Sequence, residues 1–318
     1  MILAVSHEGD DHAAPLLGAL ARRGAEAWVL DLADLPARGT LVLGFGAGEA
    51  LTLRVDGRPA LDPRRVTAVW WRRPRAMEAA AGLAPEHAAF AVRQAHDALM
   101  GLVASLAPTA LLVNDPWRDH VAGHKTYQLA TARRAGLRLP ETLVTNDPEA
   151  AGPFLTAWGE GGAVHKAVSA TPADWRRTRR VGPDDLARLA DLRLSPVILQ
   201  EHVPGVDVRV TVVGEELFAA EIDARRSSSP DDYRGHEAEC RIEPCALPAA
   251  EERALRALVA ELGLSFAAAD FRRRDDGAWF FLELNPAGQW LFVEERTGQP
   301  ITEALAALLD RARRPRTG

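Results

Sequence analysis

Residues 266–290 read FAAADFRRRDDGAWFFLELNPAGQW. Two apolar runs, Phe266 to Arg272 and Trp279 to Leu284, flank Asp275-Asp276-Gly277, a turn sequence, and so predict an antiparallel hairpin. Residues two apart on a strand point to the same side, which puts the side chains of Glu283 and Asn285 in one pocket. The hairpin brings Asp270 alongside them. Two carboxylates and an amide oxygen suit Mg²⁺, which takes hard oxygen ligands and keeps waters and phosphates in its remaining positions. A solvated strand face ending in a turn at Asn285-Pro286 is the alternative. Phe280, Phe281, Leu282 and Leu284 argue against it, because an unpaired Glu on a largely buried strand is costly. Asp270, Glu283 and Asn285 are therefore the expected metal ligands.

The rest of the chain sets the frame for that hairpin. Its 318 residues suffice for two or three lobes, and 47% hydrophobic with 26% charged residues is ordinary globular composition. Lys and Arg number 38 against 44 Asp and Glu, a formal charge of −6, which disfavours a broad nucleic-acid surface. No apolar run reaches the length of a membrane span. The opening MILAVSHEGDD has no basic leader, and Cys240 and Cys245 make neither a disulfide framework nor a complete zinc site. The expectation is a cytoplasmic protein without nucleic-acid or membrane partners.

The fold class expected is α/β. Strand Met1 to Val5, helix Ala13 to Arg23 and strand Ala27 to Leu32 make a βαβ start and hence a parallel sheet. The first turn lacks GxGxxG, so a dinucleotide site is not supported. Leu51 to Leu61 reads as a hairpin around Asp56-Gly57, Val66 to Trp71 as a strand, and Pro85 to Ala107 as a long helix. A helix from Lys125 to Ala135, strands at Glu141 to Thr145 and Val164 to Val168, and a helix from Pro148 to Trp158 follow. Further strands are expected at Val197 to His202, Val208 to Val213 and Glu216 to Asp223, with helices at Ala249 to Leu262 and Ile301 to Arg311. The boundaries drawn are 1–115 for an N-terminal domain, 116–197 for a central lobe and 198–318 for a C-terminal lobe. The tail RARRPRTG reads as frayed surface.

Of the 38 basic residues only Lys125 and Lys166 are Lys, leaving 36 Arg. Where Arg has replaced Lys this widely, the two survivors mark places that need a compact ammonium. A Lys on the apolar strand AVHKAV needs an anion, and one opening a helix is a plausible phosphate partner. Facing the carboxylates of the hairpin they would make a nucleotide cleft, with Glu201 and Val203 of VILQEHVPG at the hinge reading an adenine edge. Asp207 and Arg209 stand two apart, so Asp207 can orient Arg209 toward a substrate carboxylate; a structural ion pair is the plainer reading. The loop ARRSSSPDDYR closes over phosphates through Arg234 or is an exposed turn. Gly159-Glu-Gly-Gly162 reads as a plain turn in preference to a phosphate loop. Adjacent Trp70 and Trp71 cannot both enter one core. No HExxH, GxSxG or Walker A sequence occurs.

Taken in chain order, Lys125, Lys166, the hinge QEHV, the DVR triplet, Asp270 and the ELN triplet resemble an ATP-grasp ligase. SHEGDDHA, WWRRP and ELNPAGQWLFVEERTGQPI resemble, within that superfamily, the microviridin-type ligases that macrocyclise ribosomal peptides (graspetide or omega-ester peptide synthetases). The resemblance implies an ATP-grasp fold with an N-terminal pre-ATP-grasp domain, the cofactors ATP and Mg²⁺, and a homodimer acting on a ribosomal precursor peptide with a leader. It implies that Lys125, Lys166, Gln200, Glu201, Val203 and Asp207 bind ATP, and that Asp207, Arg209 and Arg234 serve catalysis, Arg209 beside the acceptor carboxylate. Asp or Glu side chains would become acyl phosphates and then esters or amides. The alternative is a RimK-like ligase adding a free amino acid. The departure is VHKAVSATPADW, which lacks a Gly-rich loop after Lys166. The segment 225 to 245 is the expected leader contact.

Overall fold

The structure, a computed structural model, describes residues 1–46, 50–159, 161–169 and 177–312. In chain order its elements are β1 (Ile2–Val5), α1 (Ala13–Arg22), β2 (Ala27–Leu30), β3 (Gly39–Leu43), β4 (Leu51–Val55), β5 (Ala68–Trp71), α2 (Pro85–Leu106) and β6 (Leu111–Val113). There follow α3 (Pro116–Ala122), α4 (Lys125–Arg134), β7 (Thr142–Thr145), α5 (Pro148–Trp158), β8 (Ala163–Ala167), β9 (Arg179–Arg180), α6 (Pro183–Ala187) and β10 (Val197–Glu201). The chain continues through β11 (Val206–Val213), β12 (Glu216–Asp223), β13 (Arg241–Pro244), α7 (Ala249–Leu262), β14 (Phe266–Arg273), β15 (Trp279–Asn285), α8 (Leu291–Thr297) and α9 (Ile301–Arg311). Two compact units result: Met1–Pro116 with Pro300–Gly318, and Trp117–Gln299.

The first unit is built on a parallel sheet in the order β2-β1-β5-β6, as the βαβ start predicts. β1 is apolar and buried along its whole length, the pattern of a strand covered on both faces. Leu16, Ala19 and Leu20 bury one side of α1, and Leu99, Leu102, Val103 and Leu106 anchor the second half of α2. β4 pairs chiefly with β3, a strand the sequence did not suggest; the expected partner Leu61 contributes a single bridge to Leu53. Trp70 is buried, whereas Trp71 keeps partial exposure. The expected boundary put residues 301–311 in the C-terminal lobe. Instead α9 returns to the first unit, burying Ile301, Leu305 and Leu309 while Glu303 pairs with Arg22 at 2.5 Å. Its amphipathic pattern states that it needs a partner face but not which one.

The second unit holds two antiparallel sheets, β7-β10-β8-β9 and β13-β12-β11-β14-β15. β10, expected to open the C-terminal lobe, instead pairs with β7 and β8 and completes the first of these sheets. Ala151 and Leu155 of α5 pack on that sheet with Ala163 and Leu199. On the five-stranded sheet, Leu255, Leu258 and Leu262 of α7 pack with Val208, Val210, Ala269, Phe281 and Leu284. Ala132 and Leu137 join the same core, so α4 docks on this sheet and not on the lobe to which its sequence position assigned it. Gln128 fixes the docking: it is buried, donates to the carbonyls of Ala122 and Leu284, and accepts from the Leu284 N–H at 3.0 Å.

The link from β10 to β11, Glu201-His-Val-Pro-Gly-Val206, carries the chain from one sheet to the other. Gly205 has φ +140°, and a Cβ there would stand 2.1 Å from the Arg273 carbonyl oxygen. Gly205→Ala is expected to lower stability by about 2 kcal/mol or more, the strain being added to the clash. A denaturant midpoint unchanged from the parent would contradict this.

Candidate active site

β11 and β14 carry the same triplet pattern, Asp207-Val-Arg209 and Asp270-Phe-Arg272. The strands run antiparallel in the register Asp207↔Arg272 and Arg209↔Asp270, so each acid meets the opposite strand's base. Arg209 Nη1 donates to both Asp270 oxygens, at 2.7 and 2.9 Å, and its Nη2 to the Gln289 carbonyl at 3.1 Å. Arg272 Nη1 donates to Asp207 Oδ2, and its Nε to the Val203 carbonyl at 3.1 Å. The expectation that Asp207 orients Arg209 is therefore corrected. The two side chains do share a face, but each pairs across to the residue of opposite charge that stands directly opposite it on β14. Arg209 is 6% exposed, and its Nε has no hydrogen-bond partner among the described residues. Tyr233, buried, donates its hydroxyl to Asp270 Oδ1 at 3.4 Å.

β15 lies beside β14 in the predicted hairpin, with Glu283 opposite Asp270 and a bulge after it. Glu283 is the centre of a cation cluster. Lys125 Nζ stands 3.2 Å from Oε2, and Arg234 Nη1 donates to Oε1 at 3.0 Å. Burial would raise the Glu283 carboxyl, but Lys125, Arg234 and Lys166 together hold it down to about 2. Lys125 reaches this place because α4 docks on β15; from the first residue of that helix it also donates to the Ala167 carbonyl of β8, at 3.4 Å. The two lysines thus sit on opposite lobes, where the sequence had put both on one.

Lys166 lies on β8, paired with Ile198 of β10, and its ammonium makes no hydrogen bond or ion pair among the described residues. Burial pushes its ammonium down to about 8, against the attraction of Glu283. Three cations about one shared carboxylate leave positive charge that Glu283 alone does not balance, a setting that favours an anion.

The cleft is lined by Lys166, Gln200, Glu201, Val203, Asp207, Arg234, Asp270 and Glu283 among others. Of the expected residues, Lys125 and Arg209 stand behind this lining, each bonded to one of its carboxylates. At the hinge, Gln200 Nε2 donates to Thr142 Oγ1 at 2.9 Å, and the Glu201 carboxylate accepts the Glu141 N–H at 3.1 Å. One oxygen of this carboxylate is thus engaged by the residue before β7, and the other makes no hydrogen bond among the described residues. The hinge also offers main chain, as expected: Val203 is buried, and its N–H makes no hydrogen bond among the described residues.

Arg234 belongs to the loop that the sequence left between two readings, and the structure brings it to the cleft. Asp232 holds its guanidinium, from Nε at 2.7 Å and Nη2 at 3.1 Å. Arg180 of β9 grips Asp231 through two bonds of 2.8 and 3.0 Å, with His202 at 3.0 Å from the same carboxylate. Thr178 N–H donates to Asp232 at 3.2 Å. Asp231 to Arg234 therefore fold onto the cleft.

Arg180, Asp231, Asp232, Tyr233 and Arg272 were not singled out as site residues. Only Arg272 carried a readable signal, its two-residue spacing from Asp270. Asn285 shares the strand face of Glu283 but is exposed, and its Oδ1 accepts the Ala287 N–H at 2.9 Å. Among the described residues no three His, Cys, Asp or Glu converge as a metal site. The donor set nevertheless fits a hard cation: two carboxylates adjoin in register, one of them held ionised by three cations, and an amide carbonyl oxygen keeps a second lone pair. Glu160 of the Gly159–Gly162 cluster, residues 170–175 of the stretch after Lys166, and the tail from 313 lie outside the described residues.

Comparison with known proteins identifies relatives of this arrangement. The MvdD pre-ATP grasp domain family matches residues 1–119. The macrocyclase MdnC of Microcystis aeruginosa MRC, solved with its precursor peptide MdnA, superposes with a TM-score of 0.85 at 27% identity, over 98% of this chain and 99% of that one. The ATP-grasp ligase PsnB, solved with a minimal precursor, Mg and ADP, gives 0.79 at 25% identity over 98% and 97%. A RiPP-associated ATP-grasp ligase of Chryseobacterium gregarium gives 0.86 at 24% identity over 100% and 99%. No curated protein sequence matches the chain.

Proposed function

We propose that this chain, which has the ATP-grasp fold and a pre-ATP-grasp domain of the MvdD kind, activates Asp or Glu side chains of a ribosomal precursor peptide as acyl phosphates and closes them on hydroxyls or amines of the same peptide. The observation that carries the reading is the convergence of Lys125, Lys166 and Arg234 on Glu283, a carboxylate that lines the cleft, beside the Arg209–Asp270 pair. The peptide and nucleotide complexes of MdnC and PsnB support it.

A carboxylate does not acylate an alcohol in water, because its leaving group is too poor. Transfer of the ATP γ-phosphoryl to the side chain gives a mixed anhydride and ADP; attack by the hydroxyl or amine then expels phosphate, and one water is lost from the peptide per linkage. Lys125, Lys166 and Arg234 would take the phosphate oxygens. The Val203 N–H would meet the adenine edge, with Gln200 and Glu201 shaping the hinge beside it. Asp270 and Glu283, with Asn285 on the same strand face, would hold Mg²⁺, which would supply Lewis-acid neutralisation of phosphate charge. Arg209, paired with the cleft carboxylate Asp270, would steady the charge on the acyl phosphate.

Hydroxylamine tests the activated carboxyl. With ATP, Mg²⁺ and an acidic precursor peptide it is expected to leave hydroxamates on Asp or Glu, dependent on Glu283. ADP release without hydroxamate, or hydroxamate without ATP, would contradict the reading.

Lys166 adds a pH dependence. Its ammonium loses its proton as pH rises through about 8, so the free enzyme gives up one phosphate-binding charge above that value. Bound phosphate favours the charged form. kcat/KM for ATP is therefore expected to fall above pH 8 while kcat holds, and Lys166→Arg to remove that limb from the profile. A limb retained in the variant would assign the titration to another group.

A further inference from the structure

In the link between the two sheets of the second unit, one side chain, that of Arg272, binds both flanks of Pro204-Gly205. Arg272 is 6% exposed and lines the cleft. Its Nε binds the carbonyl of Val203, before Pro204-Gly205, and its Nη1 binds the carboxylate of Asp207, after them. One guanidinium thus closes the turn from both sides. Two consequences follow. With its carbonyl taken by Arg272, Val203 offers the cleft its N–H alone, a donor suited to a ring nitrogen that accepts, as adenine presents. Asp207 is fixed by one oxygen; its Oδ1 has no hydrogen bond among the described residues and can accept from a sugar hydroxyl.

We propose that Arg272 is the positioning residue for the adenosine half of the nucleotide, presetting the Val203 N–H and the Asp207 carboxylate at the hinge. The proposal rests on reading the cleft as a nucleotide site. The phosphate half is built separately: Lys125, Lys166 and Arg234 share no hydrogen-bond or ion-pair partner with Arg272 among the described residues. Lys cannot replace Arg here, because a single ammonium does not span two acceptors that a planar fork reaches from Nε and Nη1.

The separation gives the test. The parent chain and Arg272→Met, Arg272→Lys and Arg272→Gln would be titrated calorimetrically with ADP and, separately, with tripolyphosphate in the same Mg²⁺ buffer, each variant being checked by thermal melting. Arg272→Met is expected to lose about tenfold or more in ADP affinity with tripolyphosphate affinity kept within about twofold, since charge-assisted bonds at one end only are removed. Arg272→Lys is expected to fall between Met and the parent. If the Met variant does not fold, the Lys and Gln variants carry the comparison, and each should lose ADP affinity selectively. Equal loss of both ligands, or no loss of ADP in a folded variant, overturns the proposal while leaving the nucleotide site standing. A parent chain that binds tripolyphosphate or neither ligand, but not ADP, overturns the nucleotide reading itself and this role with it.

Discussion

Glu283→Gln is expected to lower ATP turnover by about a hundredfold or more, the cost of removing one charged group on which transferring phosphate depends. The substitution keeps the shape of the side chain but leaves Lys125, Arg234 and Lys166 facing one another without their shared anion. It also removes one of two carboxylates fit to hold Mg²⁺. A second consequence appears at low pH. A carboxyl held down to about 2 from its ordinary 4.5 contributes stability that is complete above the ordinary value and lost as pH falls through about 2. The Gln variant should therefore show a flatter acid limb in its denaturation profile over that window. Turnover within about threefold of the parent, in a variant that melts normally, would remove Glu283 from the chemistry.

Arg209→Ala separates binding from coupling. Nothing about the hinge or the lysines changes, so ADP affinity is expected to stay within about threefold of the parent while peptide modification falls below detection. The Arg209–Asp270 pair is 8% and 14% exposed, and removing one partner strands the other charge. A stability loss of about 3 to 5 kcal/mol is expected from that alone. Arg209→Lys, which keeps a charge beside Asp270 but not the bond to the Gln289 carbonyl, distinguishes the two effects: a folded, nucleotide-binding and inactive Lys variant assigns Arg209 to the acceptor side. Parallel loss of ADP binding and modification in the Lys variant would make the residue structural.

Gly288 bears on the same point. A Cβ there would lie 2.3 Å from Ala268 Cβ and 3.2 Å from Arg209 Nη2, so the Asn-Pro-Ala-Gly-Gln turn can approach Arg209 only with a glycine at that place. The sequence displays the turn; its target becomes visible only once β14 and β15 are in register.

Period-two spacing explains most of what the sequence revealed. It put Glu283 and Asn285 on one face and Asp207 and Arg209 on another, and the Asp-Asp-Gly turn set Asp270 opposite Glu283. Partners across strands needed the register. Asp207-Val-Arg209 and Asp270-Phe-Arg272 are two copies of one pattern, and reading them antiparallel would have paired each acid with the other strand's base. Long-range docking was less legible. α4 follows the first unit in sequence, yet Gln128 and Ala132 tie it to β15 and α7, carrying Lys125 to the lobe that holds Glu283. α9 ends the chain but returns to α1. β10 looked like the first strand of a new lobe because the strands after it follow closely; Pro204 and Gly205 mark the true change of sheet. Arg234 and Asp231 lie in a polar loop without periodicity, so only their contacts with Glu283 and Arg180 bring them into the site.

On the proposed reaction the peptide's own side chains are joined to one another. The direct test is to co-express the chain with a short Thr-rich, Asp/Glu-rich peptide encoded beside its gene and to record the peptide's intact mass. The account predicts the loss of one water per linkage, absent in Glu283→Gln, with hydroxide then distinguishing ester from amide. A gain equal to added amino-acid residues would contradict it and make the chain a ligase of free amino acids.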